Sequence, residues 1–130
     1  MYEKPKRRRL TKQERQAVYE MCGGHCAYCG CEITAQQMQV DHVQPISLYG
    51  KDELKNMLPA CHSCNNYKHS LLLETFRRVA EGWHDNLLRN SAAYRIAVRF
   101  GRITAKNDPV VFYFENPELL NGETDKRRME

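Results

Sequence analysis

Two pairs of closely spaced cysteines constrain the fold of this chain more than any other feature. Cys26 and Cys29 form the first C-x2-C pair, Cys61 and Cys64 form the second, and 31 residues separate the two pairs. Two residues between cysteines allow a tight turn, here called a knuckle, to direct both sulfurs at one ion about 2.3 Å away. Two knuckles complete the tetrahedron that Zn²⁺ prefers, so the spacing predicts a structural zinc site at these four cysteines.

The other cysteines leave alternatives open. Cys22 and Cys31 belong to neither pair, and together with His25 and His62 they are competing candidate ligands that we expect not to bind metal. The alternatives to a zinc site are buried free thiols and a redox pair. A disulfide framework is disfavoured, because six cysteines in a chain without an export signal stay reduced in the cytosol.

Length and apolar patterning predict one folded domain. Of the 130 residues, 42% are apolar and 28% are charged, which suits a globular protein. The longest apolar run covers residues 110–114, five residues against the roughly 20 that a membrane span needs. We therefore expect a cytoplasmic protein with no membrane partner.

The positive charge is concentrated near the N-terminus. Residues 1–15 carry seven Lys or Arg and two Glu, a net charge of +5, whereas residues 16–130 carry 13 basic and 14 acidic residues. A run such as residues 6–9 suits a polyanion, because each neutralised phosphate releases condensed counterions. The alternative is a solvated tail. We interpret residues 1–10 as a basic flexible arm that supports nucleic-acid binding without proving it.

Local patterns predict an α+β fold. Thr11 and Glu14 form a capping box that begins a short helix, which Gly23 and Gly24 end. The core then has a strand over residues 38–43, a strand or extended segment over 56–60 and a helix over 63–69. Three elements follow the core. Ser70 is predicted to cap a helix with an apolar stripe at Leu72, Phe76, Val79, Ala80 and Trp83. A helix over 91–100 and a terminal strand over 110–114 come after it. This gives a single domain over residues 11–116, with a polar tail over 117–130.

The residues between and after the knuckles form a further pattern. Asp41 and His42 lie between the cysteine pairs and Asn56 follows, and Asn65 comes directly after the last cysteine with Lys68 three residues on. This pattern resembles the HNH endonuclease family. The resemblance implies a ββα-metal (His-Me) finger over about residues 22–70, stapled by the zinc. The length and the later stretches resemble small phage and prophage HNH proteins, which implies the cytoplasm of a bacterial host cell.

His42 is the candidate general base, because the unperturbed pKa of imidazole lies near neutrality and the ring can take a proton from water. Asp41 and Asn65 offer hard oxygen ligands, which suit one catalytic Mg²⁺ or Mn²⁺. The alternative for His42 is an ordinary histidine at a strand end, that for Asp41 is an aspartate that caps a turn, and that for Asn65 is an asparagine that caps a helix. Neighbours on a regular strand point to opposite faces, so Asp41 and His42 can share a site only where the strand ends or bulges.

Three further residues complete the candidate site. The resemblance implies that Asn56 hydrogen-bonds the backbone across the loop from His42 and holds the base in place. His69 lies one helical turn after Asn65 and is a candidate extra ligand, the alternative being a surface histidine. Lys68 could contact a phosphate or a neighbouring group, or be solvated. Asn65 stands where the family name has its last His, which leaves the number of metal ligands open.

Together these residues predict a metal-dependent DNA endonuclease that hydrolyses phosphodiester bonds. His42 would activate water while one divalent cation stabilises the leaving 3′ oxygen, as the resemblance implies. The alternative is a non-catalytic zinc-finger module that binds nucleic acid. Cutting both strands would take a homodimer, a larger phage or host complex, or two encounters. Target sequence and biological role stay open.

Overall fold

The computed structural model describes residues 6–116, which divide into two units. The first contains residues 6–73 and 111–116, and the second contains residues 74–110. The predicted polar tail and the first half of the arm lie outside the described residues. None of the helices within residues 6–116 has the length and apolar composition of a membrane-spanning segment.

Helix α1 (Lys12–Glu20) opens the first unit and begins as predicted. The backbone N–H of Glu14 donates to the Thr11 hydroxyl at 3.1 Å, and the Glu14 carboxylate accepts from the Thr11 N–H at 3.0 Å. This reciprocal pair satisfies two of the N–H groups that a helix start leaves without partners. After the helix, Gly23 adopts a left-handed φ of 58°, a conformation that glycine tolerates without steric cost. Val18 fixes the helix to the core because its side chain is fully buried.

Two short strands and a helix form the finger. Strand β1 (Gln39–His42) pairs antiparallel with β2 (Met57–Ala60), and helix α2 (His62–Lys68) follows the second strand directly. The register places Gln39 opposite Ala60 and His42 opposite Met57. The predicted α+β class and ββα core are confirmed, although both strands are shorter than predicted and α2 lies one residue earlier than the predicted helix over 63–69.

The predicted terminal strand over residues 110–114 is wrong. The chain is irregular there and then forms a 3-10 turn at Tyr113–Glu115. The N–H of Tyr113 donates to the carbonyl of Tyr28 at 3.1 Å, and the N–H of Phe114 donates to the carbonyl of Ala27 at 2.9 Å. These hydrogen bonds to the first knuckle take the place of a strand ladder. The local structure is therefore determined by how the aromatic side chains pack and not by β propensity.

The second unit consists of helices α3 (Leu73–Glu81), α4 (Trp83–Asn90) and α5 (Ala92–Arg99). Helix α5 matches the predicted helix over 91–100, and Ser91 caps it, since its hydroxyl accepts from the N–H of Tyr94 at 3.1 Å. Trp83 begins α4 instead of extending the stripe of α3, but its ring still contacts Phe76 with ring centroids 6.3 Å apart. The side chain of Glu81 accepts from the N–H of Val110 at 2.9 Å and ties the end of this unit to α3.

The predicted helix start at Ser70 is also wrong. Helix α3 begins at Leu73, and the Ser70 hydroxyl instead contacts the Nδ1 atom of His69 at 2.9 Å. His69 has a φ of 47°, which ends α2, and the N–H of Leu71 then donates to the carbonyl of Lys68 at 2.8 Å. Residues 70–72, which the sequence pattern assigned to the next helix, therefore lie in the connection between α2 and α3.

Candidate active site

The four paired cysteines come together in one cluster, the cysteine cluster. Their sulfur atoms all lie within 4.8 Å of one another, and the sulfurs of Cys29 and Cys61 are 3.8 Å apart. Four sulfurs bound to a tetrahedral Zn²⁺ at about 2.3 Å lie about 3.8 Å from one another. The donor atoms and their spacing therefore fit a structural zinc ion held by Cys26, Cys29, Cys61 and Cys64.

Backbone hydrogen bonds shape both knuckles. In the first, the N–H of Gly30 donates to the carbonyl of Cys26 at 3.0 Å, and Gly30 adopts a φ of 79° that closes the turn. In the second, Cys61 caps α2, and its sulfur accepts from the N–H of Cys64 at 3.3 Å. The turn of each knuckle is thus closed by residues within a few positions of its own cysteines, and the first knuckle is also tied to β2, since the N–H of Ala27 donates to the carbonyl of Pro59 at 2.8 Å.

Hydrogen bonds within the cluster shift the pKa values of its thiols. Bonds from Cys29 and Cys64 to the sulfur of Cys26 lower the pKa of Cys26, and bonds with Cys26 and Cys29 raise the pKa of Cys64. The neighbouring thiols thus stabilise one thiolate. A divalent ion would allow all four to ionise.

The competing candidate ligands lie outside the cysteine cluster, as expected. Cys22 is buried, and burial raises the pKa of its thiol to about 11, so it is a neutral apolar side chain. Cys31 is also buried. The His25 ring stacks on Tyr113 with centroids 5.2 Å apart, and His62 contacts the side chain of Gln39 at 2.9 Å. Each histidine therefore has another structural role.

A cleft of about 430 Å³ adjoins the end of β1. Asp41 and His42 both line it, and β1 ends at His42, which meets the condition that the sequence set for a shared site. The other functional candidates on its wall are Arg7, Gln39, Asn65 and His69. The structure thus brings the predicted base and three predicted metal ligands to one cleft.

Asp41 is held by two side chains that the cleft does not expose. Its Oδ2 atom accepts a hydrogen bond from the Tyr28 hydroxyl and pairs with Lys68 Nζ at 2.9 Å. Asp41 is only 4% exposed. Because Oδ2 is occupied twice, Oδ1 is the oxygen that remains to bind a cation.

Lys68 is fully buried and is not part of the cleft wall. Besides its ion pair with Asp41, its ammonium group donates to the carbonyls of His42 at 3.3 Å and Val43 at 3.4 Å. Of the alternatives drawn from the sequence, contact with a neighbouring group is realised, while phosphate contact and solvation do not fit this burial. Lys68 therefore contacts Asp41 and the backbone after β1 from beneath the cleft.

His42 pairs with an acid that sequence reasoning missed. Its Nε2 atom lies 2.8 Å from Oδ1 of Asp52, and both side chains are less than a tenth exposed. Burial alone would raise the pKa of Asp52, but hydrogen bonds from His42 and from the backbone of Arg8 outweigh burial and lower it. Asp52 stands in a polar loop ten positions after His42, and no sequence motif marks it.

Asn56 spans the loop that follows His42. Its side-chain oxygen accepts from the N–H of Gln44 at 2.9 Å, and its amide nitrogen donates to the carbonyls of Gln44 at 3.0 Å and Lys51 at 2.8 Å. Its own carbonyl accepts from the N–H of Val43 at 2.9 Å. These bonds fix the backbone on both sides of the loop that carries Asp52.

Asn65 and His69 lie at opposite ends of one helical turn. The amide nitrogen of Asn65 donates to the side chain of Gln39 at 2.7 Å, which leaves its amide oxygen as the atom able to bind a cation. The Nδ1 atom of His69 contacts the Ser70 hydroxyl, which leaves Nε2 as its candidate ligand atom. Gln39 was not recognised from the sequence.

A second cleft, of about 480 Å³, shares His42, Asn65 and Arg7 with the first. Arg9 also lines it. Between these two arginines, Arg8 is anchored: its guanidinium donates to both carboxylate oxygens of Glu14, at 2.8 and 2.7 Å. The described part of the arm therefore runs beside His42.

The finger and most of the site residues lie in a segment that is similar to a known family. Residues 26–71 match the family model described as HNH endonuclease, which confirms the resemblance inferred from the motif.

Among individual proteins, the chain is similar to the "SPbeta prophage-derived putative HNH endonuclease YoqL" of Bacillus subtilis (strain 168). The two are 25% identical over 99 residues, which cover 70% of this chain and 40% of the relative. The chain thus spans about two fifths of the length of that relative.

Proposed function

We propose that this protein is a metal-dependent endonuclease that hydrolyses phosphodiester bonds in DNA. The observation that carries the proposal is the arrangement of Asp41, His42 and Asn65 around one cleft beside the cysteine cluster. A module that only binds nucleic acid does not need a histidine that is paired with a buried carboxylate and lies next to two oxygen ligands. The domain match at residues 26–71 supports the same class of activity.

The oxygen atoms of Asp41 and Asn65 would hold one Mg²⁺ or Mn²⁺ in this proposal, with His69 as a candidate third ligand. Carboxylate and amide oxygens are hard donors, and a site with few protein ligands leaves positions for phosphate oxygens and water. A bound cation would supply electrostatic stabilisation to the scissile phosphate and the leaving 3′ oxygen, and the products would carry 5′ phosphates.

The protein's own residues then have distinct roles. His42 accepts the proton of the attacking water through the ring nitrogen that Asp52 does not contact. Lys68 and Tyr28 hold Asp41 in place through its other oxygen. Asn56 fixes the loop backbone and is a positioning residue.

The basic arm supplies the surface for the DNA backbone. Arg7 and Arg9 are exposed and line the clefts on which His42 lies. Guanidinium groups bind phosphate oxygens without reading sequence. DNA is therefore the partner that this charge distribution favours, and the arm would contact its phosphate backbone.

A plasmid cleavage assay tests the proposal. Zinc-loaded protein is incubated with supercoiled plasmid and Mg²⁺, Mn²⁺ or no added divalent cation, and nicked and linear products are measured. We expect cutting with Mg²⁺ or Mn²⁺ and none without an added cation. His42→Ala should lower the rate by about 100-fold or more, since general-base catalysis contributes about 10²- to 10⁴-fold.

His84→Ala is the matched control, because His84 does not line either cleft and contacts the Tyr94 hydroxyl in the helical unit. Full cutting by His42→Ala would refute the assignment of the base. DNA binding by the wild type without cutting under any metal would favour the non-catalytic zinc-finger module.

A further inference from the structure

The side chain of Asp52 contacts both the finger and the basic arm. Its Oδ1 atom contacts Nε2 of His42 at 2.8 Å, and its Oδ2 atom accepts from the backbone N–H of Arg8 at 2.7 Å. The Asp52 side chain is 7% exposed, and the His42 side chain is 6% exposed. One nearly buried carboxylate therefore serves two partners that lie far apart in the sequence.

The chemistry of this carboxylate determines where the His42 proton lies. An ionised carboxylate only accepts hydrogen bonds, so the Nε2 atom of His42 must carry the hydrogen. In the neutral ring, Nδ1 then has the lone pair that can accept a proton. The pairing thus selects one tautomer and fixes the plane of the ring at the wall of the cleft.

We propose that Asp52 is the positioning residue of the general base and that it also docks the arm beside the cleft through Arg8. The proposal rests on the proposed function, in which His42 activates water. Asp52 acts through His42 and does not touch substrate. A carboxylate in this position orients the imidazole and stabilises the positive charge that the ring gains when it takes the proton.

The arrangement at Arg8 links the arm to the same carboxylate. The guanidinium of Arg8 is hydrogen-bonded to both oxygens of Glu14, and its Nε atom lies 3.9 Å from Oδ2 of Asp52, the same oxygen to which the backbone N–H of Arg8 donates. This places Arg7 and Arg9 on either side of the anchored residue, where they line the clefts. Loss of the Asp52 carboxylate should therefore disturb both the base and the arm.

Asp52→Ala tests the proposal with readouts of cleavage, DNA binding and the His42 ring. Single-turnover cleavage of a labelled duplex with Mg²⁺ should slow by about 100-fold, the lower end of what general-base catalysis contributes. Affinity for the duplex, measured with zinc-loaded protein and no Mg²⁺, should fall much less. In ¹H–¹⁵N spectra of zinc-loaded protein without Mg²⁺ at pH 8, the wild type should show a slowly exchanging Nε2–H of His42, which the variant loses.

Asp52→Asn sharpens the test, because an amide has one oxygen and the site has two donors. If the amide oxygen faces Arg8, the His42 ring must change tautomer; if it faces His42, the backbone N–H of Arg8 loses its acceptor. Either the His42 ring resonances or the Arg8 amide resonance should shift. Asp52→Glu, which keeps two acceptor oxygens, should retain more activity than Asp52→Asn.

Glu53→Ala is the matched control, since it removes the neighbouring carboxylate, which forms an ion pair with Lys55 at 3.5 Å. It should leave the Nε2–H signal and the cleavage rate close to wild type. The proposal is overturned if zinc-loaded, folded Asp52→Ala retains the Nε2–H signal and the wild-type rate. If the wild type itself cuts no DNA, the proposed function fails, but the His42 spectra still decide whether Asp52 orients the ring.

Discussion

The cysteine cluster and the cleft are built on the same small finger but are held in place by different means. The cluster consists of four identical side chains, and the turn of each knuckle is closed by hydrogen bonds within a few residues. In the cleft, the candidate base and two of the three candidate ligands are each held by a partner from elsewhere in the chain. These pairs are His42 with Asp52, Asp41 with Tyr28 and Lys68, and Asn65 with Gln39.

The difference predicts how each region fails. The cluster depends on one ion that needs all four sulfurs, so loss of one ligand removes the whole contribution of the metal. The cleft depends on several separate hydrogen bonds and ion pairs, so loss of one partner removes only part of its order. Substitutions in the two regions should therefore differ in size and in kind.

The largest expected effect is at the cluster. Cys61→Ser should abolish tight zinc binding and unfold the finger, because apparent zinc-binding energies of small fingers, about 10–16 kcal/mol, exceed the stability of such folds. Metal analysis should find about one Zn²⁺ per wild-type chain and almost none in the variant, and amide NMR spectra should lose their dispersion.

Cys22→Ala provides the comparison, because Cys22 is buried but lies outside the cluster. It should bind one Zn²⁺ with a modest loss of stability from the small cavity. A folded Cys61→Ser protein without zinc would show that the finger does not depend on the ion, and the contrast between the two regions would be lost.

A smaller effect is expected at the buried ion pair under the cleft. Lys68→Met removes the ammonium group but leaves the Asp41 carboxylate 4% exposed, so the free energy of unfolding should fall by about 3–5 kcal/mol. Urea unfolding of zinc-loaded protein measures the change. The double variant Lys68→Met with Asp41→Asn should be more stable than Lys68→Met alone, because the uncompensated charge is gone.

Zinc content distinguishes this failure from that of the cluster. Lys68→Met should still bind one Zn²⁺ per chain while its DNA cleavage falls, since Asp41 has lost the partner that holds it. Loss of zinc in this variant, or additive effects in the double variant, would show that the pair does not act as described.

The same contrast explains how much the sequence could predict. Two predictions depend only on residues three positions apart: the capping box that begins at Thr11 and the two C-x2-C pairs. The structure contains this capping box and brings the four cysteines together. Asp52 could not be found in this way, because it pairs with residues 10 and 44 positions away. A polar loop does not indicate which of its acids will be buried against a histidine, since chain folding alone determines that.

Residues 110–114 show the opposite problem. Their β-branched and aromatic composition is typical of a strand, yet the N–H groups of Tyr113 and Phe114 find acceptors in the first knuckle. Strand propensity reports mainly how a side chain fits a half-buried surface, and that surface can be provided without a ladder. Composition thus predicted burial of this segment better than its backbone conformation.

The smallest expected effect concerns Glu14, the partly exposed residue that anchors the arm. Hydrogen bonds from Arg8, then from the backbone of Thr11, lower the pKa of Glu14 from 4.5 to about 2. Because the pKa is lower in the folded state, the ionised carboxylate stabilises the fold above about pH 4.5, and this contribution disappears as the pH falls toward 2.

The test is made at pH 6, where the carboxylate is ionised and the protein keeps its zinc. Urea midpoints of zinc-loaded wild type and Glu14→Gln should differ there, and the difference should shrink in high salt, which screens an ion pair near the surface. A difference that is the same in low and high salt would show that the charge of Glu14 does not anchor Arg8, and the docking of the arm would then rest on the backbone bond to Asp52.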